Sequence, residues 1–365
     1  MKRTVKEQPY SKLITQAIIW SIAGGLFVSL LVVWGVGFEG VIETFTHAKL
    51  WLIIAYLAVS LSIALLLTLK WQVVLDAYKV KMPFFTLFIY RLIGFAVGYV
   101  SPVAHVGGEP VRALLLNKQG IPLKVSFTSA MLDRGLELMF NVCLFFLGAL
   151  IILNLTGFPL VARITIFTLS LIAIGVVGFI VAQIVNKRRI LVPILKLLRF
   201  DRRKSWRKVR EQADEIETLI EHFFSKRARH FRVAMLINAC LWALMFLEYK
   251  VALLILGYDA PVFAIFLFLT GVGIAYSIPI PAALGVLELG QVSASALLGI
   301  QASIGLALAF LIRLRDIAWT VIGLILLGIF HLNPFGLYER SLAAGRKYKY
   351  ESLTIEMRKL KKMLR

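Results

Sequence analysis

Charge is scarce in this chain, and acid is scarcer than base. Of 365 residues 17% are Asp, Glu, Lys or Arg, with 20 acids against 41 bases. Soluble domains carry about 25% charged and about 45 to 50% apolar residues. The 59% hydrophobic content here excludes a soluble enzyme of the usual kind. The only two cysteines, Cys143 and Cys240, both sit inside apolar runs, which excludes a disulfide framework. The five histidines (His47, His105, His222, His230, His331) never fall at metal-ligand spacing, so neither a metal nor a cofactor is expected. Nucleophile motifs and nucleotide-binding loops are missing as well.

What the chain does have is long charge-poor apolar runs, near residues 13–36, 50–69, 83–104, 125–153, 160–185, 231–256, 261–280, 284–300 and 302–331. Runs of about 20 apolar residues are what a helix needs to cross hydrocarbon. The fold class is therefore an all-α polytopic membrane protein, with residues 1–365 forming a single membrane domain. The first run follows Lys2, Arg3, Lys6 and Lys12, but it is longer than a signal-peptide core and no A-x-A-like site follows it, so it reads as a retained span.

Lys and Arg are retained on the cytoplasmic side, so their distribution sets the sidedness. Fifteen lie in 187–232, nine in 338–365, four in 1–12, three in 70–82, and two more are Lys118 and Lys124. Both termini are then expected in the cytoplasm of a multi-pass cell-membrane protein. All nine runs crossing in turn cannot satisfy that. Six full spans can (13–36, 50–69, 125–153, 160–185, 231–256, 302–331), joined by two re-entrant broken hairpins: 83–119 from the cytoplasm and 261–300 from outside. Eight full spans is the alternative, since 83–104 is long enough to cross. Each hairpin has a helix-breaking tract, Ser101 to Pro110 and Pro279 to Gly285, and irregular backbone at membrane depth is tolerated only against protein or a wet cavity.

The two halves repeat an order. Tyr99, a proline tract, Glu109, a short apolar helix and Asp133-Arg134 in one half correspond to Tyr276, a proline tract, Glu288, a short apolar helix and Arg315-Asp316 in the other. Entry from opposite faces makes this an inverted repeat, with halves near 50–185 and 231–331, and in transporters such repeats place the substrate site at their interface. Two unrelated proline breaks are the plainer alternative.

Twelve ionisable residues lie in or beside the apolar runs: Arg91, Glu109, Arg112, Asp133, Arg134, Glu137, Glu248, Lys250, Glu288, Arg313, Arg315 and Asp316. Charges at a helix centre cost roughly 2.5 to 3.5 kcal/mol each, so they must face protein or water. Six acids balance six bases, as a self-neutralising structural network would require, with Asp133 paired to Arg134 and Asp316 to Arg315 or Arg313. The functional alternative is an anion site in which arginines grip the phosphate of a phospholipid or lipid-linked phosphate, helped by the helix starts after Gly108 and Gly285, while carboxylates orient them. Substrate-binding candidates are Arg91, Glu109, Arg112, Asp133, Arg134, Glu137, Glu288, Arg313, Arg315 and Asp316. Glu248 and Lys250, two residues apart, cannot share one helix face and are set aside. Gly94 and Gly98 form a small-xxx-small pair suited to close helix packing. The basic amphipathic loop 187–232 and the basic tail 338–365 are expected on an anionic leaflet, which explains the net charge of +21 without nucleic acid.

Gly107-Gly108-Glu109 with Arg112, then Asp133-Arg134, then Pro279 to Gly285 with Glu288 resemble the transmembrane region of the lysylphosphatidylglycerol synthase family, over roughly residues 10 to 335. The resemblance implies movement of a lipid between leaflets, such as an aminoacylated phosphatidylglycerol or, in stand-alone members, an isoprenoid-linked lipid. The family's glycine pair in the second tract is Ala282-Ala283 here. The full synthases carry a soluble aminoacyl-transfer domain after this region, where this chain has a basic tail, so a flippase-like module and not an enzyme is expected. The competing readings are a membrane enzyme using Glu109, Asp133 or Glu288 on a lipid head group, and a non-transporting lipid-binding partner of such an enzyme.

Overall fold

Helix follows helix through the computed structural model, which describes residues 24–45, 48–101, 107–153, 160–186, 206–277 and 280–329. Among these there is no β-strand. In chain order the helices are α1 (Gly24–Val36), α2 (Phe38–Phe45), α3 (Leu50–Ala77), α4 (Phe84–Val100), α5 (Gly108–Lys118), α6 (Leu123–Leu153), α7 (Leu160–Val185), α8 (Trp206–Lys226), α9 (Ala228–Ile255), α10 (Val262–Ser277), α11 (Val286–Leu297) and α12 (Ala302–Ile329). All nine apolar runs contain helix, and most of their described residues are helical. Residues 13–23, the tract 102–106, the loop stretch 187–205 and the tail 338–365 lie outside the described residues.

Among the described residues three helices are long and apolar enough to cross a membrane: α3, Arg163–Ile184 within α7, and α9. Large apolar side chains stand exposed along α7, among them Leu169, Ile172, Val176 and Phe179, a surface that suits hydrocarbon and not water. The 31 residues of α6 and the 28 of α12 also have the length, but each carries a charged cluster at its middle. By contrast α5 and α11, at 11 and 12 residues, reach only about 16 to 18 Å, roughly half the hydrocarbon thickness.

These short helices fold back on their predecessors through glycine. A Cβ on Gly108 would lie 2.4 Å from the Gly94 carbonyl oxygen, and in the other half Gly271 and Gly290 each lie 3.2 Å from the other's carbonyl by the same measure. Missing side chains thus set the closeness of both crossings, α4 on α5 and α10 on α11. Gly94 packs against the Arg112 stem and the Gly108 backbone, the packing role expected of it.

Two expectations need correction. Helix α3 does not stop at residue 69, because no Gly or Pro interrupts Thr68 to Asp76. It runs to Ala77 and closes only where Lys79 takes φ 59° and the Val80 amide donates to the Leu75 carbonyl. Lys70, expected in a cytoplasmic loop, is consequently fully buried. The amphipathic loop also does more than lie on a leaflet, because α8 turns its apolar face to the protein. Phe223 is fully buried with Val74, Leu132 and Ala234, Lys124 pairs with Glu215, and the Tyr78 hydroxyl donates to the Leu219 carbonyl at 2.9 Å. Burial holds that phenol above its ordinary range, so it stays a donor.

Candidate functional site

Between α3, α4, α5, α6, α9 and α12 lies a cavity of about 270 Å³. Its wall carries four guanidiniums (Arg91, Arg112, Arg134, Arg315) and five carboxylates (Glu109, Asp133, Glu137, Glu248, Asp316). The buried Lys70 ammonium stands behind it and makes five of each sign. Eight of the ten candidate residues therefore converge on one cavity from both halves of the chain.

On the first-half side everything centres on Asp133, 1% exposed. Arg91 of α4 donates to its Oδ2 at 2.6 Å, and both Nη atoms of Arg112 of α5 donate to the same oxygen at 3.0 Å. Lys70 Nζ lies 3.5 Å from Oδ1 and 3.3 Å from Glu137 Oε2. Lys70 also donates to Asn238 on α9, whose amide donates to the Leu136 carbonyl. The Arg112 guanidinium lies 4.4 Å above the Trp71 ring, a cation–π contact that suits a desolvated arginine. Arg134 donates to Glu137, one turn along its own helix, at 2.7 Å. The expected pairing of Asp133 with Arg134 is thus replaced by pairing across helices.

On the second-half side Arg315 donates to Glu248 of α9 at 2.6 Å and to its neighbour Asp316 at 2.8 and 3.0 Å. Tyr276 of α10 donates to the other Asp316 oxygen. Glu248, set aside on sequence grounds, is therefore part of the cavity. Lys250 faces the other way and pairs with Asp259 and the Ala260 carbonyl.

Glu288 and Arg313 belong elsewhere, since neither lines the cavity. The Arg313 fork grips Glu288 at 2.5 and 2.7 Å, and its remaining donors reach the carbonyls of Ala282 and Ala283 at 3.0 and 3.2 Å. Both alanines have left-handed backbone, φ 52° and 49°. Arg313 therefore ties down the break between α10 and α11, with four of its five N–H donors taken by Glu288 and the two alanine carbonyls. Each half uses one such tether from its short helix to its long one, Arg112 to Asp133 and Glu288 to Arg313, with the signs exchanged.

Sequence reasoning missed Lys70, Trp71 and Asn238. The signal for Lys70 was the uninterrupted helical stretch around it, and Asn238 is a lone amide in an apolar run. Among the described residues, no group of three or more His, Cys, Asp or Glu is placed to hold a metal.

An all-helical chain with membrane-length apolar helices and an internally neutralised polar cavity is a multi-pass membrane protein. Residues 18–325 match the lysylphosphatidylglycerol synthase TM region, and the chain belongs to that family. It is 25% identical over 308 residues to a UPF0104 membrane protein of Pyrococcus horikoshii, covering 80% of this chain and 90% of that one. To a UPF0104 membrane protein of Methanothermobacter thermautotrophicus it is 31% identical over 128 residues, 34% of this chain and only 36% of that relative's length.

Proposed function

We propose that the chain is a flippase-like transporter that moves an anionic or isoprenoid-linked lipid between the leaflets of the cell membrane, with both termini cytoplasmic. The observation that carries this reading is the cavity, where charges from both halves of the chain surround a space of about 270 Å³. In this reading six full spans frame two hairpins entering from opposite faces as an inverted repeat, and the cavity is the midplane site that such repeats create. Its ligand is the phosphate of a phospholipid or lipid-linked phosphate. The basic stretches outside the described residues draw the protein to an anionic leaflet. No catalytic step is assigned to the cavity, and the lipid leaves chemically unchanged.

Arg134 is the arginine best placed to meet a ligand. Its side chain is 34% exposed, and its partner Glu137 lies on its own helix, so it ties no two helices together. Reconstituted in vesicles, the chain should speed transbilayer movement of a fluorescent phosphatidylglycerol, and Arg134→Gln should slow it strongly at unchanged melting temperature. Movement no faster than in protein-free vesicles overturns the reading. Lipid recovered chemically altered would instead indicate an enzyme.

A further inference from the structure

One carboxylate of the cavity differs from the other four. Asp133, Glu137, Glu248 and Asp316 all accept hydrogen bonds from basic or phenolic neighbours. Glu109 takes part in no hydrogen bond or ion pair with the described residues, and its Oε2 is closed off from solvent. The charged groups around it are Arg112 one turn along α5, Arg91 on α4, and Asp133, Arg134 and Glu137 on α6, with α4 and α6 the elements packed on α5. Arg112 and Arg134 attract it through space, yet the Arg112 Nη atoms donate to Asp133 and Arg134 Nη1 donates to Glu137, not to Glu109.

A proton arriving at any of the four paired carboxylates breaks a buried ion pair or a charge-assisted hydrogen bond. At Glu109 it breaks none. It also removes one negative charge from a cavity that, with Lys70 behind its wall, has five groups of each sign, so the protonated cavity holds an anionic head group better than the ionised one. Differential affinity of that kind is the requirement for coupling two ligands, and it is reciprocal.

We propose that Glu109 is a proton-binding site, filled together with an anionic lipid head group, so that the lipid travels with a proton down a pH difference. The coupling rests on the transporter reading above, whereas the proton site itself does not. The proton comes from water on the acidic side, forms an O–H bond on the Glu109 carboxyl and returns to water on the other side. No bond of the lipid is made or broken. A purely structural role for Glu109 would be to oppose the positive end of the α5 dipole from its first turn, and such a role predicts a loss of stability without any pH effect.

The test uses the full chain in vesicles of neutral lipid with a trace of fluorescent phosphatidylglycerol, under pH differences of either sign. The wild type should move the probe severalfold faster from the acidic to the alkaline side than in reverse. Glu109→Gln should move it equally in both directions, while Glu109→Asp should keep the asymmetry and so guard against a misfolded Gln variant. A wild type indifferent to the sign of the pH difference, or asymmetry surviving in Glu109→Gln, overturns the coupling while leaving the transporter reading in place. If the wild type moves no lipid at all, the transporter reading falls, and infrared titration decides the proton site alone. A protonated-carboxyl band that grows on acidification in the wild type and is lost in Glu109→Gln supports the site, and equal bands in both proteins refute it.

Discussion

Arg315 and Arg134 look alike in the sequence, each beside an aspartate in a long apolar helix, yet their surroundings predict opposite behaviour. Arg315 bridges Glu248 of α9 and Asp316 of α12, two carboxylates only 2% and 3% exposed. Removing it leaves both without their cation, and breaking a buried pair costs about 3 to 5 kcal/mol. We expect Arg315→Gln to lower the melting temperature substantially whether or not lipid is present. Arg134→Gln removes an i,i+3 pair on one half-exposed helix face, which stabilises by only a few tenths of a kcal/mol, so its melting temperature should stay near the wild-type value. Thermal unfolding of both variants in the same detergent checks this, and equal losses would show Arg134 to be structural too. The identity of the charged residues was legible in the sequence because apolar runs make every charge conspicuous. Their pairing was not, since Asp133 finds Arg91 and Arg112 at separations of 42 and 21 residues, and only the packing of α4 and α6 on α5 brings those together.

For the helices, legibility followed chemistry. Apart from α3, the long apolar runs became helices within a few residues of their expected limits even where they carry single glycines, and the helices stop on either side of the proline tracts. The error at α3 came from treating Lys70 as a loop marker, when a charge ends a helix only if nothing inside the protein can neutralise it. The two breaks are held by different means, which gives opposite mutational expectations. At the first, Gly108→Ala would press a methyl into the Gly94 carbonyl, a backbone atom that cannot swing aside, and overpacking of this kind costs about 1 to 3 kcal/mol. At the second, Ala282 already occupies a left-handed conformation that disfavours a side chain by roughly 1 to 2 kcal/mol. Ala282→Gly removes that strain and gives back about 0.5 to 1 kcal/mol in chain entropy. We expect it to be neutral or slightly stabilising, and Gly108→Ala to be clearly destabilising. Chemical denaturation of the two variants against the wild type measures both, and a stabilising Gly108→Ala would mean that the α4–α5 crossing is looser than described.

Across the whole molecule, length and hydropathy mark out the bundle, and the charge rule behind the proposed sidedness does not extend to Lys70, which is buried. The sign-exchanged tethers, Arg112 to Asp133 and Glu288 to Arg313, and the paired glycine crossings are the observations that support the inverted repeat proposed above. The clearest difference between an inverted repeat and a parallel one is the face to which each short helix returns. Gln119, just past α5, and Gln301, just past α11, are both exposed and lie outside the charged network. With Cys143 and Cys240 replaced by Ala, single cysteines at 119 and 301 can be labelled with a membrane-impermeant maleimide, first in intact cells and then in inside-out vesicles. We expect position 119 to react only from the cytoplasmic face and position 301 only from the outer face. Reaction of both from the same face would place the hairpins in parallel, and the cavity would then open toward a single side of the membrane with no structural symmetry to carry a lipid across.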